Sequence, residues 1–240
     1  MSRPVHHSRP LGRVWARLTR QTVTDRSLTV LTLILLAEVV LLPPLVQTGW
    51  LDRHLADTVF VGGLMFGVWI LADHTLPGRM FIWTALASLL LRLANLWLPD
   101  SQLRLADAGF AMVNAAALAW LTLVYTLAAG QINVHRVLGA IAVFLLVGIA
   151  FSQAHRIVAM QAEAAYLFLG APITYSQLVP HLNYFSFVTL TSLGFGDITP
   201  LHPAARALTI LEALIGVLYP AALLGWLVSL VARPKDASGG

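Results

Sequence analysis

The chain has 240 residues, 58% of them hydrophobic and only 11% charged, with a mean hydropathy of +0.77. That composition lies far outside the range of soluble domains and predicts an integral membrane protein. Cysteine is absent, which excludes a disulfide framework, a thiolate metal site and a thiol redox motif. The formal charge of +4 matters less for its size than for its uneven placement.

Residues 1–27 form a basic segment with Arg3, Arg9, Arg13, Arg17, Arg20 and Arg26 and no long apolar run, which assigns it to the cytoplasm. Arg13, Arg17 and Arg20 share one helical face, and Leu11, Val14, Trp15 and Leu18 the other. A short helix in the lipid headgroups and a disordered basic tail are both open readings. A cleavable leader is disfavoured, because the polar stretch is long and no small-x-small site follows it.

Residues 28–130 predict a peripheral domain of four helices. The first runs from about Leu28 to Val46, stops at Pro43-Pro44 and Gly49, and carries Glu38 in its middle. Its length suffices for a hydrocarbon layer of about 30 Å at about 1.5 Å per residue. The second, about Thr58 to Ala72, contains Gly63-x-x-x-Gly67, a spacing that permits close helix contact. A third runs from Met80 to Leu98 with Arg92 and Asn95, and a fourth from about Leu105 to Ala129 with Asp107 and Asn114.

A charge within the bilayer costs on the order of 2.5 to 3.5 kcal/mol on insertion scales, so Glu38, Arg92 and, further on, Glu212 need explanations. Depth along the spans puts Arg92 within reach of Glu38 or Asp107. A structural ion pair is the preferred reading, with a proton or ligand site as the alternative. The fourth span has no arginine in its interior; Ala108, Ala111, Ala115 and Ala119 read as a packing face. A helix that responds to the membrane potential needs several positive charges along it, and with none in the interior of this span little voltage dependence is expected.

Residues 131–231 form a second unit. Its first span begins near Val137, stays apolar to Phe151, and becomes mixed through Gln153, His155, Arg156, Gln161 and Glu163. Either one helix projects beyond the membrane, or a span ending near Val158 is followed by a separate cap. Residues from about Val179 to Leu190 read as a half-membrane helix, with Pro180 in the first turn where a missing N–H does no harm. The last span, about Ala205 to Val231, precedes a short cytoplasmic tail, 232–240. With six spans, the N-terminal segment, Arg79, Arg136, Arg233 and Lys235 fall on one side, against Arg53, Arg104, Arg156 and Arg206 on or near the other. That bias places both termini in the cytoplasm.

Between the half-membrane helix and the last span lies Ser192-Leu193-Gly194-Phe195-Gly196, followed by Asp197. A dehydrated cation needs a cage of oxygens, and successive backbone carbonyls supply one when the chain alternates left-handed and extended residues. Glycine adopts the left-handed state at little steric cost, which accounts for Gly194 and Gly196 alternating with Leu193 and Phe195. Non-helical backbone at this depth is tolerated only where it lines a cavity or is buried in protein.

Thr189-Leu190-Thr191-Ser192-Leu193-Gly194-Phe195-Gly196-Asp197 fits T-x-T-[ST]-x-G-[YF]-G-D and resembles the pore loop of the tetrameric potassium channel superfamily. The resemblance is specific over about residues 180 to 231 and no more than a hydropathy pattern over 28 to 160. It implies an all-α integral membrane protein with six transmembrane helices plus a re-entrant pore helix and selectivity-filter loop, assembled as a homotetramer around one pore. Potassium would be held by Ser192, Leu193, Gly194, Phe195 and Gly196, with the Ser192 hydroxyl closing the innermost site. Thr189, Thr191, Asp197, Tyr184, Phe185 and Glu212 would support the filter.

This chain departs from the pattern in having Ser192 where threonine is more usual and Leu193 where valine or isoleucine is. Val188 stands where some relatives carry glutamate, so Asp197 lacks that partner. Gly216 follows Gly196 at the spacing of a gating-hinge glycine, with Pro220 one turn later. Val217, Pro220, Leu224 and Val228 would face the cavity, whose apolar lining suits a dewetting gate. For Glu212 two readings stay open: a hydrogen bond to the pore helix or filter backbone, or an ion pair with Arg206 or Arg156 of a neighbour.

The function expected is a potassium-selective channel, not an enzyme, with potassium as the permeant ligand, no cofactor, membrane lipids as surroundings, and no nucleic acid or organic substrate. The alternatives are a less selective cation channel on the same scaffold, or a transporter or membrane-bound enzyme using Glu38, Arg92 and the histidines. His6, His7, His54, His74, His135, His155, His181 and His202 read as scattered over termini and loops without metal-ligand spacing, which weighs against the last. The compact size suggests a prokaryotic inner membrane.

Overall fold

The computed structural model describes residues 27–51, 76–97, 100–127 and 133–231, together with the single positions 55, 59 and 62. Residues 1–26, the Gly63-x-x-x-Gly67 pair of the second expected span and residues 232–240 lie outside the described residues.

Helix α1 covers 27–40 and, after a turn at Leu41, continues as the short α2 (Leu42–Gln47), whose two prolines sit at its start where no intrahelical N–H is needed. Helix α3 spans Leu76–Trp97, α4 spans Ser101–Leu127 and α5 spans Val134–Gln161. Side-chain caps mark two of the starts. The Gln102 amide donates to the Asp100 carboxylate at 2.8 Å ahead of α4, and the Arg136 amide donates to the Asn133 side chain at 3.0 Å ahead of α5.

Leu28, Leu31 and Leu35 of α1 pack with Ala115, Leu118 and Ala119 of α4 and Ala142, Leu145, Leu146 and Ile149 of α5 in one buried cluster. The alanine face of α4, Ala108, Ala111, Ala115 and Ala119, is buried throughout, and small side chains of this kind let helices approach closely. Polar groups within the bundle are paired across helices. Thr84 of α3 donates to the Asn114 side chain at 2.7 Å, Ser88 donates to Asp107 at 3.3 Å, and Arg156 of α5 meets Asp107 at 3.5 Å. Glu38 is buried, and its carboxyl oxygens have no hydrogen-bond partner among the described residues. The Arg92 side chain lies outside them, and the expected pairing of Arg92 with Glu38 or Asp107 lies there too.

The end of α5 combines the two readings made of it. The helix runs on to Gln161, and the chain then forms a separate cap, β1 (Tyr166–Phe168) and β2 (Ala171–Pro172). Leu169 and Gly170 join these strands, both at positive φ (49° and 84°), the backbone of a tight type I′ hairpin. A third strand, β3 (Ile198–Pro200), pairs antiparallel with β1, giving the order β2-β1-β3. The chain is therefore mostly helical rather than all-α. Strands of two or three residues carry no periodicity that a sequence reading can detect.

From the cap the chain passes through a 3₁₀ turn (Tyr175–Gln177) into α6 (Leu178–Leu190), and after β3 into α7 (Pro203–Val231). Leu178, Leu182 and Phe185 of α6, Ala165 and Tyr166 of the cap, Ile198 and Ala205 form a second buried cluster. The Arg104 guanidinium lies 4.4 Å from the centre of the Tyr175 ring and ties the start of α4 to the cap. Among the described residues, four helical stretches are long and apolar enough to cross a membrane: Ser27–Val46, Ser101–Leu127, Val134–Gln161 and Pro203–Trp226.

Candidate functional site: the segment between α6 and α7

Helix α6 ends in a complete Schellman cap. The Leu193 amide donates to the Val188 carbonyl and the Ser192 amide to the Thr189 carbonyl, both at 2.9 Å, with Ser192 at φ 60° in the left-handed position usually given to glycine. The Thr191 hydroxyl donates to the Phe187 carbonyl at 2.6 Å, so it satisfies the helix end rather than facing the segment beyond. Left-handed residues then recur at every second position: Ser192, Gly194 at φ 54° and Gly196 at φ 78°. Leu193 and Phe195 between them are not left-handed, and their side chains are 61% and 66% exposed.

The far end of the segment is anchored to the cap. The Leu169 amide donates to the Asp197 carbonyl at 2.8 Å, the Ile198 amide to the Asp197 carboxylate at 3.0 Å, and β3 continues into the sheet. The Asp197 carboxylate also lies close to the Tyr184 hydroxyl of α6. Arg206, at the start of α7, donates to the Pro200 carbonyl at 3.1 Å.

Behind the segment, α7 packs directly on the end of α6. Gly216 faces Leu190, and a Cβ at Gly216 would lie 1.9 Å from the Leu190 carbonyl oxygen. Close packing thus accounts for this glycine, whatever flexibility it adds. Helix α7 is continuous through Pro220, and Val217, Pro220, Leu224 and Val228 are exposed. Thr189 is buried, and so is Phe185, whose ring lies edge-on to His155 and Tyr166 at centroid distances of 5.1 and 5.6 Å.

Glu212, one turn before Gly216, is fully buried in its own chain. One carboxyl oxygen is hydrogen-bonded with the Ser186 hydroxyl of α6, and the other meets Nε2 of His155 at 2.8 Å. His155 in turn meets the Tyr166 hydroxyl through Nδ1 at 2.6 Å, and the Ser186 hydroxyl also contacts the Gly148 carbonyl of α5 at 2.7 Å. Of the two readings of Glu212, the hydrogen bond to the helix before the segment, here α6, is therefore present. The arginines are engaged elsewhere, Arg206 with Pro200 and Arg156 with Asp107. His155 also corrects the view of the histidines as residues of termini and loops, since it lies within α5 and is entirely buried. Burial pushes the Tyr166 phenol above its ordinary range, so it remains a hydrogen-bond donor.

His155, Tyr166 and Ser186 were missed as site residues. One signal was available: a lone acid in an apolar helix requires donors, and His155 borders the one mixed stretch of the neighbouring span. No group of three or more potential metal-ligating side chains occurs among the described residues.

A family model described as an ion channel matches residues 161–233, from the last residue of α5 to just past α7. No curated protein and no solved structure matches the chain.

Proposed function

With residues 161–233 an ion-channel domain in a multi-pass membrane protein, we propose that the chain is the subunit of a homotetrameric, potassium-selective channel. Conduction is passive, through a filter formed by Ser192 to Gly196 of each copy. The observation that carries this reading is the recurrence of left-handed backbone at Ser192, Gly194 and Gly196 directly after a capped helix. In such an alternation successive carbonyls turn to the same side, which makes a row of oxygens able to replace the hydration shell of a cation. One row cannot surround an ion, and closed rings of identical subunits meet that need.

The exposed side chains support the same assembly. Leu193 and Phe195 are mostly exposed among the described residues, and Val217, Leu218, Leu224 and Val228 of α7 are each 59 to 66% exposed. In the tetramer Leu193 and Phe195 wedge the filter against neighbouring subunits, while Val217, Leu224 and Val228 line the apolar cavity below it. Six spans with cytoplasmic termini, the first four of them a peripheral domain at 28–130, complete the subunit. Its α4 carries one arginine, Arg104, at its first turn and none in its interior, so little gating charge is available.

Purified protein is expected to form particles of fourfold symmetry and, in vesicles, to pass potassium in preference to sodium at both polarities with block by barium. A functional monomer, or a steep conductance–voltage curve, would contradict this reading.

A further inference from the structure

Four side chains from four different elements meet behind the filter: Tyr166 from β1, His155 from α5, Ser186 from α6 and Glu212 from α7. All four are buried, and His155, Ser186 and Glu212 have no exposed surface. The donors and acceptors in this chain can be counted. A serine hydroxyl has one hydrogen, yet Ser186 contacts two oxygens, the Gly148 carbonyl and a Glu212 carboxyl oxygen. The carbonyl can only accept. Both contacts are full two-centre hydrogen bonds if Ser186 donates to Gly148 and a protonated Glu212 donates to Ser186, whereas an ionised Glu212 would have to share the single serine hydrogen with the carbonyl.

The remaining links then follow in one direction. The unprotonated oxygen of Glu212 accepts from Nε2–H of His155, and Nδ1 of the neutral imidazole accepts from the Tyr166 hydroxyl. Every group donates once, the chain ends on a backbone carbonyl, and no net charge is buried. With a carboxylate and an imidazolium instead, Ser186 satisfies only one of its two oxygens and Tyr166 loses its acceptor. In a buried network an unsatisfied group is costly, so the neutral arrangement is preferred.

We propose that Glu212 is held protonated in the conducting channel, with His155 and Tyr166 as positioning residues, and that this neutral chain fastens the pore helix to α5, α7 and the cap. The proposal rests on the reading of Ser192–Gly196 as a potassium filter and adds to it a pH-dependent control. Loss of the Glu212 proton at alkaline pH leaves the Ser186 hydrogen to be divided between two acceptors and loosens α6 from α5 or α7. Among the described residues, the other ionisable groups on these elements face elsewhere. On α5 His135 meets Thr29 and Arg156 meets Asp107, on α6 His181 meets the Gln177 carbonyl and Tyr184 lies beside Asp197, and on α7 Arg206 and Tyr219 meet the Pro200 and Ala140 carbonyls.

Glutamine at position 212 mimics the protonated acid, because its amide N–H donates to Ser186 and its oxygen accepts from His155, but it has no proton to lose. In reconstituted full-length channels, Glu212→Gln is therefore expected to carry about tenfold more potassium current than Glu212→Ala at neutral pH and to lose the alkaline decline of the wild type. Infrared spectra of the same proteins in a Glu38→Gln background, since Glu38 is a second buried acid, should show a protonated carboxyl carbonyl band that Glu212→Gln abolishes. Should Glu212→Gln fail to assemble, the band of the Glu38→Gln protein is followed with pH instead, and it should vanish over the range in which conduction falls. Equal impairment of Glu212→Gln and Glu212→Ala, an alkaline decline that persists in Glu212→Gln, or the absence of the band would overturn the proposal. A clear band in a protein that passes sodium and potassium equally would instead overturn the filter reading and leave the proton on Glu212.

Discussion

Gly216→Ala is expected to abolish most potassium conduction and to reduce the yield of assembled tetramer. The added methyl group would lie 1.9 Å from the Leu190 carbonyl oxygen and 2.8 Å from its carbon. The obstacle is backbone at the last residue of α6, so no rotamer change relieves it, and α7 and α6 must separate. Overpacking of this kind costs about 1–3 kcal/mol in each copy, occasionally more. The displacement falls on the helix whose cap sets the left-handed turn at Ser192, so the filter is disturbed as well as the gate. Single-channel recording with particle-size analysis checks this. A variant with normal assembly and selectivity but altered open probability would show that Gly216 acts chiefly as a hinge.

For Gly194→Ala the expected result is loss of selective current with the tetramer still assembled. The space around Gly194 is open within its own chain, since an added Cβ meets nothing within 4 Å. The penalty comes from the backbone at φ 54°. A left-handed non-glycine residue costs about 1–2 kcal/mol, or ~4–8 kcal/mol over a pore of four copies. Relief by rotation of the peptide turns a carbonyl away from the ion path, and the site loses an oxygen. Ser192→Ala is milder, because a non-glycine residue already occupies that left-handed position and only the hydroxyl is lost. The ratio of potassium to sodium permeability is the readout, and an unchanged ratio in Gly194→Ala would remove Gly194 from the filter.

Local chemistry made some of this arrangement legible in the sequence. The helix read at about Val179 to Leu190 is present at Leu178–Leu190, because a proline in its first turn and glycines just beyond its end bound it on both sides. The last span was legible for its length and apolarity, and α7 covers it. What could not be read depends on contacts between distant residues. His155 and Glu212 are 57 positions apart, and their meeting follows from the rotation of α5 and α7 about their axes, which periodicity fixes poorly in helices that are apolar all round. The same holds for Gly216. Its spacing from Gly196 points to a hinge, while its contact with Leu190 exists only once α6 is folded back against α7. The cap was open in the sequence because its strands owe their existence to the Leu169-Gly170 turn and to pairing with β3, on the far side of Ser192–Gly196.

The most direct test of the central claim is the reversal potential of purified wild-type protein in planar bilayers, with potassium on one side and sodium on the other. The carbonyl filter predicts a reversal potential displaced strongly toward the potassium equilibrium value, and a shift of that potential with potassium but not sodium concentration. A reversal potential near zero under the same gradient, with current carried equally by both ions, would contradict it.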